Sequence, residues 1–178
     1  MEVMTDEEFQ LLRDFINQKC GISYGKGQKF ILQQKLYRLL EKTSFKNFKE
    51  YYYYLKYSSS KEILQQLFDT LAVNETYFFR EKEQILLLKD YIFPELFESR
   101  PNRIVKILSA GCSTGEEPYS ISMIASEYFK EQSQNLTIMG LDISNKALAV
   151  AESGIYKKVS LAFRSIEEKY LKEHFDDI

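Results

Sequence analysis

The feature that most constrains the fold of this chain is a short run of mainly β-branched residues followed by a loop of small residues. The run is Ile104-Val105-Lys106-Ile107-Leu108, which is typical of a buried strand. Residues 109–115 are then small, and a helix is predicted from about Glu116, with Pro118 tolerated in its first turn. A second strand, Leu136–Leu141, ends at Asp142, and Ser144 caps the next helix. The order strand, helix, strand, helix predicts an α/β fold that begins a parallel sheet with right-handed crossovers.

The first hundred residues predict a series of helices instead. Thr5 and Glu8 form a capping-box pattern ahead of an apolar helical repeat that stops at Gly21. Further helices are predicted after a glycine loop, from Ser44, and from Ser59. The buried face of the second helix is predicted to consist of Phe30, Ile31, Leu36, Leu39 and Leu40.

These patterns divide the chain into three parts. Residues 1–73 are predicted to form an all-helical domain, and residues 74–100 a linker segment followed by a helix. Pro94 should kink that helix or end it early, because proline lacks the amide that a helix requires. A turn at Pro101-Asn102 opens the α/β part, residues 101–178.

Composition and charge exclude several classes of protein. The chain has 178 residues, with 24 Lys and Arg against 26 Asp and Glu, which argues against a general nucleic-acid binder. No apolar run approaches the roughly 18–20 residues of a membrane span, and the N-terminus is acidic where a signal peptide is basic. We therefore expect a cytoplasmic protein with free thiols at its two cysteines. With one histidine and two scattered cysteines, no metal site is expected.

The loop at residues 109–115 is the most informative candidate site, because open α/β sheets bind ligands at the carboxyl ends of their strands. Gly111 and Gly115 allow a tight turn and a close approach of a ligand. The loop lacks the GK[ST] ending of a P-loop, and Glu117 with its neighbouring acid favours a cationic or hydroxyl-rich ligand. Asp142 is placed to accept hydrogen bonds from ribose hydroxyls. The alternative is that the two glutamates are helix-terminus acids and Asp142 is a turn residue.

Four motifs of the chain resemble, in order and spacing, those of the CheR-type chemotaxis methyltransferases. They are Asn74-Glu-Thr-Tyr-Phe-Phe-Arg80, Ala110-Gly-Cys-Ser-Thr-Gly-Glu-Glu-Pro-Tyr119, Gly140-Leu-Asp-Ile-Ser144 and Ser153-Gly-Ile-Tyr156. The resemblance implies transfer of a methyl group from S-adenosylmethionine to glutamate side chains of chemoreceptors, with S-adenosylhomocysteine as product. It also implies a Rossmann-like class I methyltransferase sheet, of which this chain holds the first βαβα part.

The resemblance assigns roles to individual residues. Glu117 would hold the cofactor near its amino-acid end or ribose, and Asp142 would bind the ribose hydroxyls. Arg80 would be the catalytic residue, because it can steer the incoming carboxylate, which is already a nucleophile at neutral pH and needs no general base. The cofactor-binding residues implied are Asn74, Thr76, Arg80, Ala110, Gly111, Glu117 and Asp142. The alternative for residues 74–80 is a packing segment with an exposed arginine.

A basic stretch in the helical domain suggests a partner. Residues 19–49 contain eight Lys and Arg and one acid, Glu41, which departs from the basic pattern. In the family, the basic face of the second helix docks the acidic cytoplasmic helices of methyl-accepting chemoreceptors. Lys29, Lys35 and Arg38 fall on matching positions. A solvated helix face is the alternative, and in either case such charges act mostly on encounter rate and its salt dependence.

The resemblance covers the helical domain and the first half of the catalytic domain. We therefore expect a truncated sheet, whose uncovered faces and edge would favour pairing with a second copy or another chain. The alternative function is a non-catalytic docking or nucleoside-binding module left by such a truncation.

Overall fold

A computed structural model describes residues 3–58, 60–99 and 103–176. The chain divides into two compact units, Met1–Ala72 and Val73–Ile178, and each unit has its own hydrophobic core. None of the helices within the described ranges is long and apolar enough to cross a membrane.

The first unit is all-helical. Its helices are α1 (Asp6–Cys20), α2 (Lys29–Leu40), α3 (Phe48–Tyr57) and α4 (Lys61–Leu71), with a 3₁₀ turn at Lys26–Gln28. Helix α2 packs against α4, and α1 packs against α3. The core between them is formed by aliphatic and aromatic side chains from all four helices.

The ends of these helices follow their capping residues. Thr5 and Glu8 form the predicted capping box, and Gly21 ends α1 in the left-handed conformation at φ 75°. The predicted start of α3 at Ser44 is wrong: Asn47 caps the helix, because its side chain accepts the Glu50 N–H at 2.7 Å. Ser60 caps α4, and the predicted cap Ser59 lies outside the described residues.

The predicted buried face of α2 is partly wrong. Phe30 is 66% exposed and Ile31 is also exposed. The buried stripe runs through Leu32, Gln33 and the leucines at 36, 39 and 40, which places Phe30 and Ile31 on the solvent side. Burial of Gln33 is compensated by a hydrogen bond from the Met4 N–H to its side-chain oxygen at 3.0 Å.

The second unit begins with a helical stretch that passes through Pro94. Helix α5 (Lys82–Leu87) continues into a π-helical segment, Leu88–Ile92, and then into α6 (Phe93–Ser99). Of the two predicted outcomes at Pro94, a kink or an early end, the early end is therefore wrong. The Phe93 N–H donates to the Leu88 carbonyl, five residues back, which is the π-helical pattern. Because Pro94 has no N–H to donate, the helix is irregular in hydrogen bonding at this point, and the π segment directly before Pro94 accommodates the irregularity.

A two-stranded parallel sheet with helices forms the rest of the unit, as predicted. The elements are β1 (Val105–Ala110), α7 (Glu116–Tyr128), β2 (Leu136–Leu141), α8 (Asn145–Ser153) and α9 (Glu168–His174). The strands pair from Val105↔Leu136 to Ala110↔Leu141. Ser144 caps α8 and Gly154 ends it, both as predicted. The fold class is thus an all-helical unit followed by an α/β unit. The predicted turn at Pro101-Asn102 lies outside the described residues.

The sheet is buried on one face. Val105 and Ser109 of β1 are buried, whereas Leu108 is exposed together with its β2 neighbours Met139 and Leu141. The prediction of a buried first strand therefore holds for one face only, because alternate side chains point to the face that no described element covers.

Candidate functional site

A cavity of about 560 Å³ lies at the carboxyl ends of β1 and β2, within the second unit. Two segments supply most of its wall: residues 73–88 from the start of the unit, and the β1–α7 loop with the first residues of α7. Asp142, which follows β2, completes it. The position is the one at which parallel α/β sheets bind their ligands.

Backbone hydrogen bonds fix the β1–α7 loop in a tight turn. The N–H groups of Gly111 and Cys112 both donate to the Leu141 carbonyl, at 2.7 and 3.0 Å. Gly115, at φ 95°, must be glycine for two reasons: its backbone is left-handed, and a Cβ would lie 2.8 Å from the Cβ of Ala151. These contacts define the conformation of the loop, and its backbone is accessible at Gly111.

The Asp142 side chain links the two loops that follow β1 and β2 at the cavity. One carboxylate oxygen accepts the Ser113 N–H and the other accepts the Ser144 N–H, each at 2.8 Å. These bonds fix the direction of the carboxylate, and each oxygen retains a lone pair for a further donor. The half-buried Asp142 side chain can therefore accept hydrogen bonds from two neighbouring hydroxyl groups in the cavity.

The two glutamates at the start of α7 have different surroundings. Glu116 is buried and accepts the Thr114 hydroxyl at 2.6 Å, so it stabilises the loop. Glu117 is exposed, lines the cavity, and accepts the Ser109 hydroxyl at 2.6 Å. Of these two glutamates, Glu117 is the one that presents its carboxylate to the cavity, which is what a cationic or hydroxyl-bearing group requires.

The segment from Glu75 to Glu81 carries strained backbone. Phe79 and Glu81 have φ values of 58° and 51°, a region in which non-glycine residues are uncommon. The Phe79 N–H donates to the Ser120 hydroxyl at 2.9 Å, which holds the segment against α7. Arg80 is exposed and donates to the Glu75 carbonyl at 2.8 Å, so its guanidinium retains donors that face the cavity. Strain of this kind is characteristic of ligand sites.

The structure brings five of the seven predicted cofactor-binding residues to one cavity wall: Thr76, Arg80, Gly111, Glu117 and Asp142. Asn74 is exposed and Ala110 is the exposed last residue of β1, and neither lines the cavity. Sequence reasoning did not select the lining residues Glu75, Glu81, Gln84 and Ser113. Ser113 lies within the Ala110–Tyr119 motif, but nothing in the sequence distinguishes its role from that of the neighbouring residues.

Comparison with known proteins decides the family. Residues 7–72 match the family model described as "CheR methyltransferase, all-alpha domain", and residues 74–177 match "CheR methyltransferase, SAM binding domain". The chain belongs to the CheR methyltransferase family. The boundary between the two matches coincides with the boundary between the two units of the structure.

Curated relatives agree with this assignment. "Chemotaxis protein methyltransferase 2" of Vibrio cholerae is 33% identical over 97% of this chain and 60% of its own length. "Chemotaxis protein methyltransferase" of Borreliella burgdorferi is 35% identical over 98% of this chain and 64% of its own length. The Campylobacter jejuni protein of the same name is 36% identical over 86% of this chain and 54% of its own length. The chain therefore spans about three fifths of the length of such relatives.

A second cavity of about 340 Å³ in this CheR family member lies between α7, β2 and α8. Cys112 borders both cavities. Burial and the nearby Asp142 carboxylate raise the pKa of the Cys112 thiol, which disfavours the thiolate that nucleophilic catalysis would need. The second cavity has one carboxylate, Glu152, and no arginine or lysine among its lining residues. It is therefore a poorer match for a nucleoside than the cavity at the strand ends.

The basic residues of α2 also differ from one another. Lys29 pairs with Asp6 at 2.6 Å. Lys35 is half-buried and donates to the Leu71 carbonyl at 2.7 Å, and burial lowers its pKa. Arg38 is exposed. Of the three predicted docking residues, Arg38 thus presents its charge most openly to solvent. Elsewhere within residues 3–58, 60–99 and 103–176, no group of three or more His, Cys, Asp and Glu side chains is placed to hold a metal ion.

Proposed function

We propose that the whole protein that carries this sequence transfers a methyl group from S-adenosylmethionine to glutamate side chains of chemoreceptors. The observation that carries the proposal is the cavity at the strand ends, where Glu117, Asp142 and Arg80 converge in a chain that matches a SAM-binding family model. Two carboxylates suit the amino group and ribose hydroxyls of the cofactor, and a guanidinium suits a carboxylate substrate.

Each residue has a distinct part in cofactor binding. Asp142 accepts the ribose hydroxyls, since the backbone bonds to Ser113 and Ser144 hold its carboxylate in place. Glu117 accepts hydrogen bonds from the amino-acid end or from the ribose. Gly111 allows the backbone to approach the ligand closely. Thr76 contributes a hydroxyl from the cavity wall, and Asn74 and Ala110 would contribute from its margin.

The reaction needs orientation more than acid–base catalysis. The cofactor supplies an electrophilic methyl group on a sulfonium sulfur. A glutamate carboxylate oxygen forms the new bond to the methyl carbon, the carbon–sulfur bond breaks, and its electron pair stays on sulfur to give S-adenosylhomocysteine. Arg80 orients the carboxylate for in-line attack, which is a contribution of proximity. No proton moves, so no general base is required.

The helical unit has a separate part in the proposal. Lys29, Lys35 and Arg38 lie on α2 and would dock the acidic cytoplasmic helices of methyl-accepting receptors. A substrate on the cytoplasmic side of a membrane places the protein in the cytoplasm. The contribution of the α2 charges is expected to weaken with salt, because exposed charges act mainly through long-range attraction.

Two measurements test the proposal. Calorimetry with S-adenosylhomocysteine should detect binding to the 178-residue chain, and Asp142→Ala should lose it. In the whole protein, transfer of labelled methyl to a glutamate-rich receptor helix should be lost in Arg80→Ala, with the exposed Arg103→Ala as the matched control. An Arg80→Ala rate equal to that of Arg103→Ala would show that the catalytic assignment is wrong. Binding without any transfer by the whole protein would favour a non-catalytic nucleoside-binding module.

A further inference from the structure

The loop that follows α8 exposes aliphatic side chains, together with the first residue of the 3₁₀ turn Leu161–Phe163. Ile155 is 62% exposed, Val159 is 96% exposed and Leu161 is 73% exposed, all within seven residues. Single exposed aliphatic residues are ordinary, but a cluster of them commonly marks an interaction site. We refer to residues 155–161 as the 155–161 loop.

The charge of this loop is entirely basic. Lys157 and Lys158 lie within it, Arg164 follows it, and no Asp or Glu occurs from residue 155 to residue 166. Acidic residues are otherwise common in the chain, which carries a net charge of −2. A surface that combines exposed aliphatic side chains with basic charge is complementary to an acidic amphipathic partner.

The 155–161 loop is fastened at both ends to the segments that line the cavity. At one end, the Tyr156 hydroxyl donates to the Thr114 carbonyl of the β1–α7 loop at 2.6 Å. At the other end, the Ala162 carbonyl accepts the Phe78 N–H at 2.9 Å. The Arg164 guanidinium then lies 3.7 Å from the centre of the Tyr77 ring. These bonds hold the exposed side chains on a preorganised loop that is joined to the two segments lining the cavity, which lowers the entropic cost of docking.

We propose that the 155–161 loop docks the helix that presents the substrate glutamate, with Val159 and Leu161 contacting its apolar residues and Lys157 pairing with its acidic ones. The inference rests on the proposed methyl transfer, because that reaction requires a glutamate-bearing segment to reach the cavity whose wall segments are hydrogen-bonded to this loop. It adds a second contact surface, in the α/β unit, to the one proposed on α2.

The test separates peptide docking from cofactor binding. The probe is a synthetic amphipathic helical peptide with glutamates along one face and leucines along the other, labelled for fluorescence anisotropy. Its affinity is measured with saturating S-adenosylhomocysteine for the unsubstituted chain and for Val159→Ser/Leu161→Ser. The Val3→Ser variant is the control, because Val3 is an exposed valine of the helical unit. Lys157→Glu tests the charge, with the exposed Lys130→Glu as its control.

We expect the double substitution to weaken peptide binding about tenfold, since this corresponds to half-burial of two aliphatic side chains. Lys157→Glu should weaken it as well, more strongly at low salt, while both controls stay within about twofold of the unsubstituted chain. Affinity for S-adenosylhomocysteine should not change in any variant.

Unchanged peptide affinity in the double variant, with cofactor product still bound, would overturn the docking inference and leave the proposed function intact. A change in sedimentation behaviour caused by the same substitutions would identify a second copy of the chain as the occupant and would also overturn it. Failure of the unsubstituted chain to bind S-adenosylhomocysteine would instead count against the proposed function itself.

Discussion

Substitution of Asp142 by Asn is the change that most sharply probes the cavity. The asparagine side chain has the same shape but one acceptor oxygen in place of two. In the structure both carboxylate oxygens are engaged, one with the Ser113 N–H and one with the Ser144 N–H. An asparagine can serve one of these amides, and its own NH₂ group then faces the other.

The magnitude follows from the hydrogen bonds that are lost. A hydrogen bond to a charged group contributes about 1.5–3 kcal/mol. If one of the proposed ribose bonds loses its carboxylate acceptor, the dissociation constant for S-adenosylhomocysteine should rise roughly ten- to hundredfold. The unfolding free energy of the second unit should fall by about 1–3 kcal/mol, because one backbone N–H loses its acceptor.

Ligand analogues distinguish ribose recognition from damage to the loop. Calorimetry should show that the unsubstituted chain binds S-adenosylhomocysteine more tightly than its 2′,3′-dideoxy analogue. The Asp142→Asn variant should lose most of that preference, while Asp176→Asn, at an exposed aspartate, should keep it. If Asp142→Asn weakens both ligands equally and leaves the preference intact, Asp142 supports the loop and does not contact the ribose.

Three further predictions concern the same unit. Gly115→Ala should lower the unfolding free energy by about 2–4 kcal/mol, because the new Cβ would lie 2.8 Å from the Ala151 Cβ at a backbone φ of 95°. Burial raises the pKa of Glu127, but hydrogen bonds from Lys169 and Tyr170 outweigh burial and hold the pKa below 4.5. The stability that Glu127 supplies should therefore be present above pH 4.5 and be lost as the pH falls through the lowered value, as followed by urea unfolding. Arg164→Ala should weaken S-adenosylhomocysteine binding about three- to tenfold, because its stacking on Tyr77 and its ion pair with Glu75 at 3.3 Å both hold the segment that lines the cavity.

Each of these has its own control. Gly27→Ala should be harmless, since no atom lies within 4 Å of the new Cβ, and equal losses at Gly27 and Gly115 would contradict the packing argument. The stability difference between the unsubstituted chain and Glu127→Gln should shrink as the solution is acidified, and a constant difference would contradict the pKa argument. Arg164→Lys should restore binding only in part, because lysine lacks a planar group to stack. Full restoration would show that charge alone matters at this position.

Local patterns in the sequence predicted much of the fold. The capping box at Thr5, the end of α1 at Gly21 and the bounds of β2 all follow from short-range chemistry, and the structure has them as predicted. The family motifs predicted a shared binding site, and the structure places five of the predicted residues around one cavity: Thr76, Arg80, Gly111, Glu117 and Asp142. Their roles in binding and catalysis stay predictions.

The errors share a physical origin in tertiary packing. The helical repeat of α2 allowed more than one buried stripe, and contact with α4 selected the one that leaves Phe30 exposed. The proline rule predicted a kink or an early end at Pro94, and the helix does not end there because the preceding π segment accommodates the proline. The exposure of Leu108 depends on which sheet face is covered, which a strand's own residues do not specify. Contacts such as Arg164 with Tyr77 join segments that are distant in the chain, so no local pattern reveals them.

The most direct test of the central claim is to map S-adenosylhomocysteine binding on the chain by two-dimensional ¹H–¹⁵N NMR. The account predicts that the largest shift changes fall on the backbone amides of Gly111, Ser113 and Asp142, at the cavity of the strand ends. Amides that line the second cavity and not this one, such as Ser122 and Glu152, should change little. Shift changes confined to Ser122 and Glu152, or none at all at saturating ligand, would contradict the claim that this cavity holds the cofactor.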